Sequence, residues 1–258
     1  MPSIRSICAL ALPLILPISV QAALTGTAPA PDVQAYAAAY AAAVQERARL
    51  AEQGLADAQF SLGLAHEKGD HVVQDFARAA AWYRRAAEQG HADAQVNLGM
   101  LLQYGQGVPQ DVAAAASWYR QAAEKGHAIA QFNLGLLLAN GEGVAQDFRQ
   151  AAAWYRKAAA QGKAAAQFNL ALLLENGQGM VADAAAAAEW YRRAAEQGDA
   201  DAQEALGRLY ATGRGVQQDL AIAADWYGRA AQQGHEAARA GLGRLHAQSV
   251  VAPAGWQR

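Results

Sequence analysis

The sequence predicts an all-α fold, a solenoid of stacked helix pairs, and three observations carry that expectation. Alanine supplies 69 of the 258 residues, about 27%, a density that suits closely packed helices and suits strands poorly. Gly54, Gly90, Gly126, Gly162, Gly198 and Gly234 recur every 36 residues, and so do Trp82, Trp118, Trp154, Trp190 and Trp226, each followed by Tyr. No insertion or deletion interrupts five periods, and a fixed spacing of that size marks an array whose core grows along one axis. Gly and Pro together number only 31, which excludes collagen-like and low-complexity chains.

The N-terminal stretch reads as an address rather than as fold. Arg5 gives a positive start, Ile7 to Val20 is apolar but interrupted by Pro13 and Pro17, and Val20-Gln21-Ala22 presents a cleavage site. Residues 1–22 are therefore expected to be a signal peptide, too short and too proline-rich to span a bilayer. The only cysteine, Cys8, lies within it, so the segment after Ala22 can form no disulfide. Residues 23–31 are expected to form a flexible linker, and 32–54 a capping helix begun by Asp32, with Tyr36 and Tyr40 on one face.

Five units follow, 55–90, 91–126, 127–162, 163–198 and 199–234. In the second, Ala94, Leu98, Leu101 and Leu102 share one helical face, so His91 to Tyr104 reads as an amphipathic helix A stopped by Gly105. The turn Gly105-Gln-Gly107-Val-Pro109 leads to Asp111, the expected N-cap of helix B, whose buried side carries Ala115, Ala116, Trp118, Tyr119, Ala122 and Ala123. Gly126 ends it. Gly99, with Ala171 as its small substitute, leaves room for close approach of a neighbouring helix. The five tryptophans are expected to be structural, large rings filling grooves between alanines. A half-repeat at 235–248 and a tail at 249–258 complete the chain.

The strings Ala-Asp-Ala-Gln-Val-Asn-Leu-Gly (92–99), Gly-Gln-Gly-Val-Pro-Gln-Asp (105–111) and Trp-Tyr-Arg-Gln-Ala-Ala-Glu-Lys-Gly (118–126) resemble the Sel-one-like repeat (SLR) family, relatives of the tetratricopeptide repeat. The resemblance covers residues 55–234 and implies a right-handed superhelix with helix A lining a concave surface. It also implies scaffold or adaptor work through protein contacts, often in the bacterial envelope. His71 and Met180 depart from the family's turn residues, and the cysteines of its disulfide-rich branch are absent.

With Leu98 at the core, Asn97, Met100 and Tyr104 fall on the opposite side of helix A. Asn97, Asn133 and Asn169 would then form a ladder beside Met100, Leu136 and Leu172. An amide ladder can hydrogen-bond an extended peptide while apolar neighbours take its side chains; alternatively these residues serve packing between repeats. The expected partner is a protein or peptide of the cell envelope, with exported or cell-wall glycan as the alternative. A formal charge of −2 gives no footprint for nucleic acid. Nothing in the sequence suggests a cofactor. After Ala22 there are three serines (Ser61, Ser117, Ser249) and no cysteine, and no nucleophile elbow, zinc helix or phosphate loop appears. His91, His127 and His235 share one phase, too far apart in successive units to meet at one metal ion.

Overall fold

A computed structural model describes residues 33–251, and within them the chain forms twelve helices and no strand. α1 (Val33–Glu52) is followed by five pairs: α2 (Ala56–Lys68) and α3 (Phe76–Glu88), α4 (Ala92–Tyr104) and α5 (Val112–Glu124), α6 (Ala128–Asn140) and α7 (Phe148–Ala160), α8 (Ala164–Asn176) and α9 (Ala184–Glu196), α10 (Ala200–Thr212) and α11 (Leu220–Gln232). α12 (Glu236–Val251) comes last. Each helix packs on its neighbours in sequence, most extensively within a pair, which is the nearest-neighbour arrangement of a solenoid. The signal peptide, the linker, the Asp32 cap and the side chains of Tyr36 and Tyr40 lie outside the described residues.

Helix boundaries follow local chemistry. Asp75, Asp111, Asp147, Asp183 and Asp219 cap the B helices, each carboxylate accepting a backbone N–H of the first turn at 2.9 Å. The A helices end at Gly69, Gly105, Gly141, Gly177 and Gly213, all left-handed, where an L side chain would be strained. In the last helix Ser249 stands in that phase, and α12 runs on to Val251, beyond the expected end of the half-repeat at 248. The second turn glycine has a different reason. A Cβ on Gly143 would fall 2.6 Å from the carbonyl carbon of Val112, because each turn sits on the first turn of the preceding B helix. Unit one has His71 there, left-handed at φ 59, with its imidazole 3.1 Å from the Asp70 carboxylate.

The core corrects one sequence expectation. The rings that fill the grooves are the tyrosines: Tyr83, Tyr119, Tyr155 and Tyr191 are among the largest fully buried side chains. Trp82, Trp118, Trp154 and Trp190 are half-buried, and of the five tryptophans only Trp226 is buried. The reason is helical phase. Ala79, Ala80, Ala86 and Ala87 lie four and three residues before and after Tyr83, which centres the tyrosine on the buried stripe and leaves Trp82 at its margin. There Trp82 closes the seam with the preceding unit, packed with Ala51, Ala58 and Leu62.

The tyrosine explains the small residue of helix A. A Cβ on Gly99 would lie 2.6 Å from the Tyr119 ring, and the same holds for Gly63 against Tyr83 and Gly135 against Tyr155. Without that atom there is room for the ring against the helix backbone, and the two axes can close up. Phe60, Phe132 and Phe168 complete the contact, their ring centroids 5.8, 5.9 and 5.6 Å from the tyrosine of the same unit.

Candidate partner-binding face

Two polar ladders join the units and were not identified in the sequence. Gln59, Gln95, Gln131, Gln167 and Gln203 are buried, and each donates Nε2 to the carbonyl eight residues earlier, at the end of the preceding B helix. The carbonyl of Gln59, Gln131, Gln167 and Gln203 in turn accepts from Gln89, Gln161, Gln197 and Gln233 at 2.7 to 2.9 Å. Lys125 takes that phase in the second unit and points to the Gly90 carbonyl instead, which leaves Gln95 Oε1 buried without a protein partner. The phased glutamines were visible in the sequence; their buried position was the missing clue.

The second ladder uses histidine. His91, His127 and His235 accept a backbone N–H at Nδ1 from Ala94, Ala130 and Ala238, so they cap the A helices and carry their proton on Nε2. That Nε2 faces the aspartate of the preceding unit: Asp57 at 3.4 Å, Asp93 at 2.9 Å and Asp201 at 3.1 Å. His127 holds the Asp93 carboxyl below the usual carboxylate range, against the opposing effect of burial. These histidines are therefore structural links.

The proposed amide ladder divides on inspection. Asn97 is only 4% exposed, so it is withdrawn from any peptide and its expected place in the recognition row is corrected. Asn133 is half-buried and turns toward the Tyr119 hydroxyl; burial pushes that phenol far above its ordinary range, the nearby Tyr104 adds to the shift, and the Asn133 amide works against it. Asn169 is half-buried and donates to the Ala165 carbonyl of its own helix at 2.8 Å. The cause is the tyrosine core. Each of these positions lies fourteen residues after a buried tyrosine, on the side of helix A that meets the preceding B helix.

The remaining expected residues do form a surface. Leu64, Met100 and Leu136 are partly buried against the core with one side open, Leu172 is 37% exposed and Tyr104 is 53% exposed. Asn140 and Asn176 stand in the phase of Tyr104 and are exposed, and Arg208 continues the phase of Leu172. The A helices thus present an apolar stripe edged by one aromatic ring and two amides, ending in a cation.

That cation belongs to a buried cluster. Glu175 is 2% exposed, and its carboxylate accepts two bonds from Arg208 at 2.8 and 2.9 Å and one from the Tyr191 hydroxyl at 3.0 Å. Arg214 stands 3.2 Å away and also donates to the Glu175 backbone carbonyl at 3.0 Å. Arg208 keeps the Glu175 carboxyl below the ordinary glutamate range despite its burial, with Tyr191 and Arg214 acting in the same direction. The cluster joins α8, α9, α10 and the turn after α10, in the phase where Glu67 accepts the Tyr83 hydroxyl and Gln103 that of Tyr119.

The B helices offer a different surface. Arg85, Lys157, Arg193 and Arg229 lie over the rings of Trp82, Trp154, Trp190 and Trp226 at 4.5, 4.0, 4.6 and 4.5 Å from their centroids. Each cation occupies one face of its ring, a face that sugar stacking could otherwise use. Trp256 lies outside the described residues.

The Sel1 repeat model matches residues 56–91, 92–127, 128–163, 164–199 and 200–235. The chain belongs to the Sel1 repeat family. Two solved structures agree. An SLR-fold protein described as the protective antigen c5321 of uropathogenic Escherichia coli is 38% identical with a TM-score of 0.76, the match covering 80% of this chain and 44% of that one. The chain thus spans less than half the length of that structure. A Sel1 repeat protein from Oxalobacter formigenes is 33% identical with a TM-score of 0.73, and the match covers 90% of both chains. No relative is found among curated proteins. Sel1 repeat proteins generally mediate protein–protein interactions, and the scaffold is generally non-catalytic. Among the described residues no helix of this Sel1 repeat protein is long and apolar enough to cross a membrane.

Proposed function

We propose that this chain is an exported adaptor that holds a protein partner in extended form along the open stripe of its A helices. The observation that carries the reading is the run Leu64, Met100, Leu136 and Leu172, apolar side chains repeated in phase yet left partly uncovered, with Tyr104, Asn140 and Asn176 beside them. Alternate apolar contacts with flanking amides are what an extended peptide requires. Asn133 and Asn169 border the same stripe and would join the contact only by leaving their present bonds. Export rests on the character of residues 1–22, and the envelope is the compartment where the partner is sought.

Photo-crosslinking tests this. Benzoylphenylalanine at Leu172 is expected to give one discrete adduct in intact cells, and the same probe at Arg156, on the exposed side of α7, none. Adducts of equal yield from both positions, or none from Leu172, would remove the stripe as the contact surface.

A further inference from the structure

The repeat changes character at one place on the open stripe. The phase of Leu64, Met100, Leu136 and Leu172 turns from apolar to cationic at Arg208 and stays cationic at Arg244 of α12. The turn phase changes in the same unit, where Asp70, Gln106, Glu142 and Gln178 are followed by Arg214. Glu175 fixes both cations of that unit. Arg208 gives its carboxylate two N–H groups at 2.8 and 2.9 Å, and Arg214 reaches the carboxylate at 3.2 Å and the backbone carbonyl at 3.0 Å. A guanidinium carries five N–H groups, so each arginine keeps donors beyond these contacts. Both side chains are partly in solvent, 38% and 52% exposed. The fold does not call for the cluster, since Ala139 and Ala211 stand in the phase of Glu175. A buried ion pair is a poor source of net stability; what this one does is hold two guanidiniums still at the edge of an apolar surface.

Charge leaves the neighbourhood positive. Glu204, one turn before Arg208 on α10, acts on Arg208, and both act with Arg244 on the Tyr227 phenol. Three guanidiniums thus face two carboxylates. We propose that Arg208 and Arg214 receive an aspartate or glutamate side chain of the protein partner, placed along its strand beside the apolar residues that lie on Leu136 and Leu172. This rests on the stripe being the contact surface and adds the partner's chemistry, an apolar run next to an acidic residue. The two guanidiniums are immobilised before binding, so an incoming carboxylate gains charge-assisted hydrogen bonds at little cost in side-chain entropy. A side chain is the source rather than a chain end, because the cationic phase runs on to Arg244 and a strand can continue past the pair.

A phage library of random dodecapeptides, panned on the full chain, tests this, since peptides fused to the coat protein at their C-terminus offer acidic side chains and no free terminal carboxylate. Enriched peptides are expected to combine apolar residues with an Asp or Glu. Synthesised with amidated ends and followed by fluorescence anisotropy, they should lose about tenfold in affinity for the parent chain when the acidic residue becomes Asn or Gln. On Arg214→Gln, which leaves the Arg208–Glu175 pair in place, the same change should cost less than about twofold. Peptides that bind the stripe, weakening on Leu172→Asn, yet show no acidic preference or keep it undiminished on Arg214→Gln, would overturn this proposal and leave the stripe standing. A library that enriches nothing, or peptides indifferent to Leu172→Asn, would overturn the stripe and the acidic anchor together.

Discussion

Tyr155→Ala in the central unit is expected to destabilise the array by about 3 to 5 kcal/mol, the cost of emptying a fully buried aromatic site. The ring is covered by Ala151, Ala152, Ala158 and Ala159 of its own helix, by Phe132 and by the Gly135 backbone, none of which can swing in to fill the space. Trp154→Ala, one residue away, should cost only about 1 to 2 kcal/mol, since that ring is half in solvent already. Tyr155→Phe should be nearly neutral, because Ala139 stands where Glu67, Gln103 and Glu175 accept the hydroxyls of the corresponding tyrosines. Urea unfolding followed by circular dichroism measures all three. In Tyr155→Ala the transition should also broaden or divide, since weakening a middle unit uncouples the flanking ones in a nearest-neighbour array.

Removing Arg208 should cost more than removing Glu175, although the two are partners. Arg208→Ala strands a carboxylate that is 2% exposed, leaving it with Arg214 and Tyr191, and the expected loss is about 3 kcal/mol. Glu175→Ala releases two arginines that are 38% and 52% exposed and can turn to water, so about 1 kcal/mol is expected. Ala139 and Ala211 already occupy this phase in neighbouring units. The pH dependence follows from the depressed folded pKa. The unfolded chain takes up its proton first as pH falls, so the stabilisation by Glu175 is fully present at neutral pH. It begins to decline near the ordinary glutamate value of 4.5 and is lost as pH passes through the lower folded value. Thermal melts of the parent chain and Glu175→Ala should therefore converge on acidification. A gap that stays constant from pH 7 to pH 3 would contradict the ion-pair assignment.

The architecture could be read from the sequence because the repeat states each local rule five times. One aspartate before an alanine run suggests a cap; five of them 36 residues apart, each followed by Trp-Tyr, leave little else. What periodicity could not resolve was which of two adjacent rings is interior. Trp82 and Tyr83 differ by 100° on the helix, and the decision lies in the alanines three and four residues either side of the tyrosine. Misplacing that ring also misplaced the asparagines. Once the tyrosine is the wedge, Asn97 and Asn133 become its neighbours, and the recognition face contracts to the leucine and methionine positions with Tyr104. The Glu175 cluster was hidden for another reason. Glu175, Arg208 and Arg214 are each unremarkable surface types, and only the one-unit step between α8 and α10 brings them together.

The central claim is that the units are interchangeable modules joined by equivalent tyrosine, glutamine and turn contacts. Its most direct test is excision of residues 127–162, one whole period, which joins Gly126 to Lys163 without changing phase. The account predicts a shorter array that remains helical, unfolds cooperatively and loses ellipticity in proportion to the two helices removed. A chain that is unfolded or aggregated after that excision would show that the units depend on one another beyond their nearest neighbours, and would contradict the account.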